Sequence, residues 1–308
     1  MKSFIVCRSR FLVFVALLVA LPVMTPTQEV ALTFDDLPSH GPLPPGMTRI
    51  DVAKSIIATL KAANAPQVYG FINAVKLQQV PEDRAVLEEW RAAGYLLGNH
   101  TWSHMSLTDS TAEAFEKEIV ANEQALRSLM GKDDWHWFRY PFLWEGETLE
   151  KRDAVRAYLK DHGYRVAQVT LDFEDYAWNA PYARCVAKSD QKSIEWLKSS
   201  YLDTARQYIE LDQKMSQMVF GREVKHVMLL HLGGVQTVML PQLIDLLKQK
   251  GFRLVTLDEA ESDPAYQSNP NAALKYGGTL LEQTVEAQHL KYPPVPPKPM
   301  KELDAVCR

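Results

Sequence analysis

Glu29-Val30-Ala31-Leu32-Thr33-Phe34 (EVALTF) is an apolar run of strand length that leads directly into Asp35-Asp36. An extended segment sends successive side chains to opposite faces, so two adjacent carboxylates at its end diverge toward different neighbours. Both lose hydration and repel each other unless a cation or a base neutralises them. Alone the pair is weak evidence, because most Asp-Asp pairs are turn residues or solvated caps.

Further along, the same kind of run recurs at Gln67–Ile72, Tyr95–Gly98, Trp137–Tyr140, Arg165–Val169, His226–Leu230 and Phe252–Thr256. Amphipathic stretches separate them. Ile50–Ala63 has apolar residues at helical spacing with Thr48 placed as a start signal, and Glu82–Ala93, Thr111–Met130, Glu147–His162 and Val238–Lys250 behave alike. Gly131, Gly163 and Gly251 read as helix stops. Seven strands alternating with helices predict an α/β fold with a parallel sheet, and a closed barrel accommodates this length in one domain. Lys192–Phe220 reads as an extra long helix inserted between the fifth and sixth strands. From Tyr266 the alternation fades, and Tyr292–Pro299 (YPPVPPKP) is expected to be extended.

The whole chain has 308 residues, 46% hydrophobic and 23% charged, enough to bury a core and unlike a disordered or disulfide-dense chain. A formal net charge of −4 argues against an electrostatic nucleic-acid binder. Lys2, Arg8 and Arg10 precede the apolar run Phe11–Met24, which is short of the roughly 20 residues that span a bilayer. Residues 1–27 therefore read as a secretory signal peptide, with an uncleaved anchor as the alternative. Its removal takes the formal charge from −4 to −7, leaves no stable membrane insertion and predicts a periplasmic or secreted protein. Cys7 leaves with it, and the remaining Cys185 and Cys307 are expected to form a disulfide. The expected division is a signal peptide at 1–27, a catalytic domain at 28–262 and a proline-rich tail at 263–308.

Chemistry-bearing residues gather at the ends of the predicted strands. The third ends in Asn99-His100-Thr101-Trp102-Ser103-His104. Histidines four apart share one face of a helical turn and can share a metal ion, although a solvated helix start fits them equally well. The missing Glu excludes the H-E-x-x-H zinc-protease pattern. Asp36 supplies a hard oxygen ligand for an Asp-His-His site with open positions, and Asp35 beside it is placed to take a proton from water there. Arg139-Tyr140-Pro141-Phe142 follows the fourth strand, Asp172-Phe173-Glu174-Asp175 the fifth, and His231 ends the sixth. An Asp–His pair holds an imidazole protonated, as a general acid requires. Parallel α/β barrels place their active sites at these carboxyl ends of strands.

The ordered set TFDD, HTWSH, RYPF, DFEDY and LLH, from Thr33 to His231, resembles the five motifs of the polysaccharide deacetylases, the NodB-homology domain of carbohydrate esterase family 4. The resemblance covers roughly Glu29 to Ser262. It implies a distorted (β/α) barrel of seven or eight mostly parallel strands. It also implies a divalent ion, usually zinc, with cobalt, nickel or manganese as alternatives, held by Asp36, His100 and His104. Asp35 becomes the general base, kept ionised by Arg139, and His231 the general acid, oriented by Asp175. The Phe142 N–H would stabilise the oxyanion and Leu229 would line the acetyl pocket. The implied partner is an acetylated carbohydrate, and the implied reaction removes N-acetyl groups from a glycan such as peptidoglycan or a chitin-type polymer.

Departures from the pattern leave the substrate open. Leu37-Pro38 stand where Gly-Pro is usual, Tyr176 where Trp is common, and Leu232 where an acid is frequent. The insertion adds Trp178, Tyr182, Trp196, Tyr201 and Tyr208; helical spacing assigns Trp196 and Tyr208 to packing, and Trp178 lies near enough in sequence to contact substrate. Competing readings are an O-acetyl esterase or small-amide deacylase on the same site, and a catalytically silent carbohydrate-binding module. Asp35 and His231 argue against the silent module, since binding a metal needs neither.

Overall fold

The computed structural model describes residues 28–308, so the expected signal peptide lies outside the described residues. β1 (Gln28–Leu37) is the hub of the sheet. It pairs in parallel with β2 (Tyr69–Ile72) and β6 (His226–His231), and its first three residues pair with β7 (Phe252–Leu254). β3 (Leu96–Asn99), β4 (Trp137–Phe138) and β5 (Arg165–Val166) continue outward from β2, giving the order β5-β4-β3-β2-β1-β6. All seven expected strands are present. The result is a curled, open parallel half-barrel flanked by helices, a distorted (β/α) barrel and not a closed one.

The opening lies where Arg165–Val169 was expected to form a full strand. β5 keeps two residues because the chain then changes partner: the Ala167 N–H donates to Phe138 at 2.8 Å, and the Thr170 N–H donates to Val227 at 3.0 Å. Among the described residues the two edges meet at a single parallel bridge, Leu171 with Met228.

Burial explains why β1 sits at the centre. Its residues from Val30 to Leu37 are all buried, as expected of a strand covered on both faces. Phe34 packs edge-on against Trp90 at 5.6 Å between ring centroids, and truncating such a side chain costs about 3–5 kcal/mol. Gly98 in β3 allows the next strand to approach: a Cβ there would lie 2.7 Å from the Trp137 carbonyl oxygen. The helices begin and end on local chemistry. Thr48 and Asp51 form a capping box before Arg49–Ala62, and Gly131, Gly163 and Gly251 all have positive φ just beyond helices.

The insertion is a single 30-residue helix, Gln191–Phe220, started by Asp190 accepting from the Ser193 N–H and stopped by left-handed Gly221. Ile194, Leu197, Tyr201, Ala205 and Ile209 form its buried stripe, at the three- and four-residue spacing that makes one helical face. Farther along, Leu211 and Met215 pack on Leu281 and Val285 in a small separate core.

That second contact belongs to the C-terminal segment, which lies back across the domain. It carries its own helix, Leu280–Ala287, and the Leu280 N–H donates to the Val169 carbonyl at 2.8 Å. Tyr292–Pro299 has no regular secondary structure, as its prolines dictate. At the very end Cys307 is disulfide-bonded to Cys185 on the helix Asn179–Ala187. Among the described residues, no helix is long and apolar enough to cross a membrane.

Candidate active site

Parallel register brings the strand ends level. Asp35 pairs opposite His231 across β1 and β6, Leu37 opposite Ile72, and Ile72 opposite Asn99. His100 therefore emerges beside the two carboxylates. The register of β1 against β2 is irregular between Phe34 and Leu37, and Asp36 has φ +65°. This local kink adds to strand alternation in turning Asp35 and Asp36 apart.

Asp36, His100 and His104 converge, with one ligand atom of each within 4.8 Å of the others. The HTWSH segment is not the helical turn expected from the spacing. Thr101 and His104 both have φ +62°, and the segment is held as a loop by specific hydrogen bonds. The Asn73 amide donates to the His100 carbonyl at 2.7 Å, the Trp102 N–H to the Glu118 carbonyl at 3.1 Å, and the Ser103 N–H and hydroxyl to the Glu118 carboxylate. The histidines still meet, with ring centroids 4.9 Å apart, because the loop folds back on itself.

The donor set suits a divalent cation. Asp36 Oδ1 is buried with no hydrogen-bond partner, so its lone pairs are free. His100 Nδ1 lies 2.7 Å from the Arg139 carbonyl, which fixes the N–H on that nitrogen and leaves Nε2 as a free donor to a metal. Burial holds His100 and His104 below the usual histidine range and therefore neutral. Burial opposes ionisation of Asp36, but neighbouring positive charge, the Lys76 ammonium foremost, outweighs it and keeps the carboxylate charged. One anionic oxygen and two neutral imidazole nitrogens make a three-ligand site open to water and substrate.

Asp35 is also buried, and its environment differs. Arg139, 1% exposed, makes four contacts on three segments: Nη1 lies 3.2 Å from Asp35, Nη2 donates to Thr33 Oγ1 at 3.1 Å, Nε donates to the Ala167 carbonyl at 2.7 Å, and its own carbonyl meets His100. Arg139 pairs directly with Asp35 and favours its charged form. Burial outweighs the Arg139 and His231 charges and pushes the Asp35 carboxyl up to about 6, above the ordinary carboxylate range. A carboxylate so perturbed is more basic, yet still ionised at neutral pH.

His231 Nδ1 lies 2.7 Å from Asp175, which also accepts from the His231 backbone N–H at 3.0 Å. Burial works against a protonated ring, but the Asp175 carboxylate prevails and raises His231 to about 9. Gln236 donates to Asp175 and to the Tyr201 hydroxyl, fixing the carboxylate from behind. His40 and Tyr176 flank the imidazole at centroid distances of 4.8 and 5.2 Å, and burial with the His231 charge lowers His40 to about 4.

Asp35, Asp36, His40, His100, His104, Tyr176 and His231 line one cavity of about 480 Å³ together with Phe142 and Leu229, with Arg139 and Asp175 outside its lining. Phe142, 52% exposed and at φ +61°, lies 4.3 Å from the His104 ring. One aromatic assignment reverses and another is incomplete. Trp178 is fully buried, stacked edge-on against Tyr201 and donating to Ser200 Oγ at 2.9 Å, so it is core and does not line the cavity. Tyr208 packs on the core as expected and also lines the cavity. Sequence reasoning missed Lys76, His40 and Gln236. His40 lies four residues past Asp36 and carried a spacing signal; Lys76 and Gln236 carried none, since each acts from an ordinary helix.

Known proteins resemble this chain in sequence and fold. Residues 23–167 match the polysaccharide deacetylase family profile. A chitin deacetylase of Arthroderma benhamiae is 24% identical over 237 residues; the match covers 76% of this chain and 52% of that relative, so the chain spans about half its length. A peptidoglycan-N-acetylglucosamine deacetylase of Bacillus cereus is 24% identical, with 75% and 86% covered. A solved family 4 carbohydrate esterase pseudoenzyme from Bacillus anthracis shares the fold at TM-score 0.52 and 15% identity, over 76% of this chain and 66% of that one. The chain contains a polysaccharide deacetylase domain of the NodB-homology type.

Proposed function

We propose that this protein is an exported, metal-dependent hydrolase that removes N-acetyl groups from a glycan built of N-acetylglucosamine units, in the manner of peptidoglycan or chitin deacetylases. One observation carries the reading: the Asp36–His100–His104 cluster shares its cavity with both Asp35 and His231. A fold shared with a pseudoenzyme does not establish activity, so residue chemistry must decide. A binding module needs neither a buried carboxylate matched to a neutral-pH proton transfer nor an imidazole held protonated.

A divalent ion, zinc by the N/O donor set, would be held by Asp36, His100 and His104 and would supply Lewis acidity at the acyl carbonyl. The protein's residues do the rest. Asp35 takes a proton from the attacking water, and Arg139 with Thr33 keeps its carboxylate in place. The Phe142 N–H is assigned to the developing oxyanion, an interaction worth about 3–4 kcal/mol per donor. His231 gives its proton to the departing nitrogen, since an unprotonated amide nitrogen leaves poorly. Asp175 holds the ring orientation, and Leu229 lines the pocket for the acetyl methyl.

Export is supported by the Cys185–Cys307 disulfide and by the basic, apolar start of the chain. The test is an acetate-release panel with the zinc-loaded protein. N-acetylglucosamine oligomers should be turned over faster than acetylated xylan, and chelation should stop both. Equal or faster release from xylan would replace this reading with an O-acetyl esterase.

A further inference from the structure

The cavity extends past the groups used above. It is also lined by Asp172, Glu174, Asp212 and Glu282, four carboxyl groups, with Lys298 their one lysine. Asp212 comes from the inserted helix, and Glu282 and Lys298 from the C-terminal segment. All lie beyond the residues that match the family profile.

Lys298 satisfies only part of this charge. Its Nζ lies 3.0 Å from Glu174 and 4.4 Å over the Tyr208 ring. Asp172, Asp212 and Glu282 make no ion pair among the described residues. Asp172 accepts from the Glu174 N–H, and Glu282 from the Thr279 N–H, both at 2.8 Å. Asp212 is 3% exposed, and its Oδ2 is buried without any hydrogen-bond partner. Burial, with Glu282 and Asp172 nearby, pushes Asp212 well above its ordinary range, and burial raises Asp172 to about 6.

A desolvated, like-charged set with an orphan oxygen is stabilised by a cation. These four carboxyls do not form a close-set metal group; among the described residues that description fits Asp36, His100 and His104. Lys298 shows what the lobe accepts, an ammonium placed between a carboxylate and an aromatic face. We infer that this lobe binds a protonated amino group of the substrate, so that the enzyme prefers an N-acetylated glycan in which a neighbouring unit already carries a free amine. The inference rests on the deacetylase reading for its substrate.

The experiment compares the zinc-loaded full-length protein on an N-acetylglucosamine tetramer and on the same tetramer with one glucosamine unit. A charge-assisted contact predicts about tenfold higher kcat/KM for the amine-bearing oligomer. Asp212→Asn and, independently, Glu282→Gln should reduce that ratio toward one. A ratio of one in the unaltered protein, or a preference that survives both substitutions, overturns the inference. If neither oligomer yields acetate, the deacetylase reading fails instead, and calorimetric binding of a glucosamine tetramer decides the lobe. Tighter binding than the acetylated tetramer, lost in Asp212→Asn, upholds it; equal binding overturns it.

Discussion

His231 and Asp175 are joined twice: ring Nδ1 to one carboxylate oxygen at 2.7 Å, and the His231 backbone N–H to the other at 3.0 Å. The second bond fixes the carboxylate relative to the strand end, so the first also fixes the ring. Protonation is thereby tied to geometry. Activity that needs the imidazolium should be retained through neutral pH and fall as pH rises through about 9. In Asp175→Asn the basic limb of the kcat/KM profile should move down toward or below 6.5, because burial then acts unopposed. An unmoved limb would assign that ionisation to another group. The same shift affects stability. A histidine raised from 6.5 to about 9 contributes fully below pH 6.5, and that contribution is lost as pH rises through 9.

Metal content tests the cluster separately from turnover. Purified protein should carry about one transition metal per chain, and His100→Ala should lose it. Asn73→Ala should weaken metal retention without removing a ligand, because the Asn73 amide holds the His100 carbonyl at 2.7 Å. Losses of 10–100-fold in affinity are typical for such supporting residues. Elemental analysis after dialysis at graded zinc concentrations reads both effects.

Arg139 predicts a compound defect. Arg139→Ala leaves Asp35 buried without its partner, and breaking a buried pair in this way costs about 3–5 kcal/mol. The Thr33 hydroxyl and the Ala167 carbonyl lose their contacts as well. Denaturant unfolding should show the loss. Arg139→Lys should recover little of it, since an ammonium cannot meet three differently placed acceptors as the planar guanidinium does.

The disulfide closes a long loop, joining cysteines 122 positions apart in sequence. In the chain-entropy model a loop of that length stabilises by about 4–5 kcal/mol. Cys185→Ser with Cys307→Ser should lower the unfolding midpoint, and reducing agent should lower it equally in the unaltered protein. No response to reductant would mean that the bridge is absent in solution.

The groups that converge at the site were legible in the sequence because parallel strands place their carboxyl ends on one rim. Asp35, Asp36, His100, Arg139 and His231 each sit at or just past such an end, so order along the chain became proximity in space. The loop conformation at Thr101 and His104 was not legible, since Asn73 and Glu118, distant in sequence, impose it through hydrogen bonds. Tyr208 and Trp178 show the limit of helical spacing. Trp178 ends a short 3-10 turn and is buried against Tyr201, whereas Tyr208, on the long helix, contacts Pro296 and Lys298 of the C-terminal segment at the cavity wall. The raised Asp35 carboxyl was not legible either, because the burial that outweighs Arg139 is visible only in three dimensions.

The order of the chain also has a consequence for how the protein is made. Every group assigned to bond cleavage lies between residues 35 and 231, while Tyr276, Glu282 and Lys298 line the same cavity from a segment secured at Cys307. A growing polypeptide therefore presents the residues of the Asp–His rim before those that wall the cavity from the C-terminal segment, and the cavity takes its full lining only after that later segment has folded back.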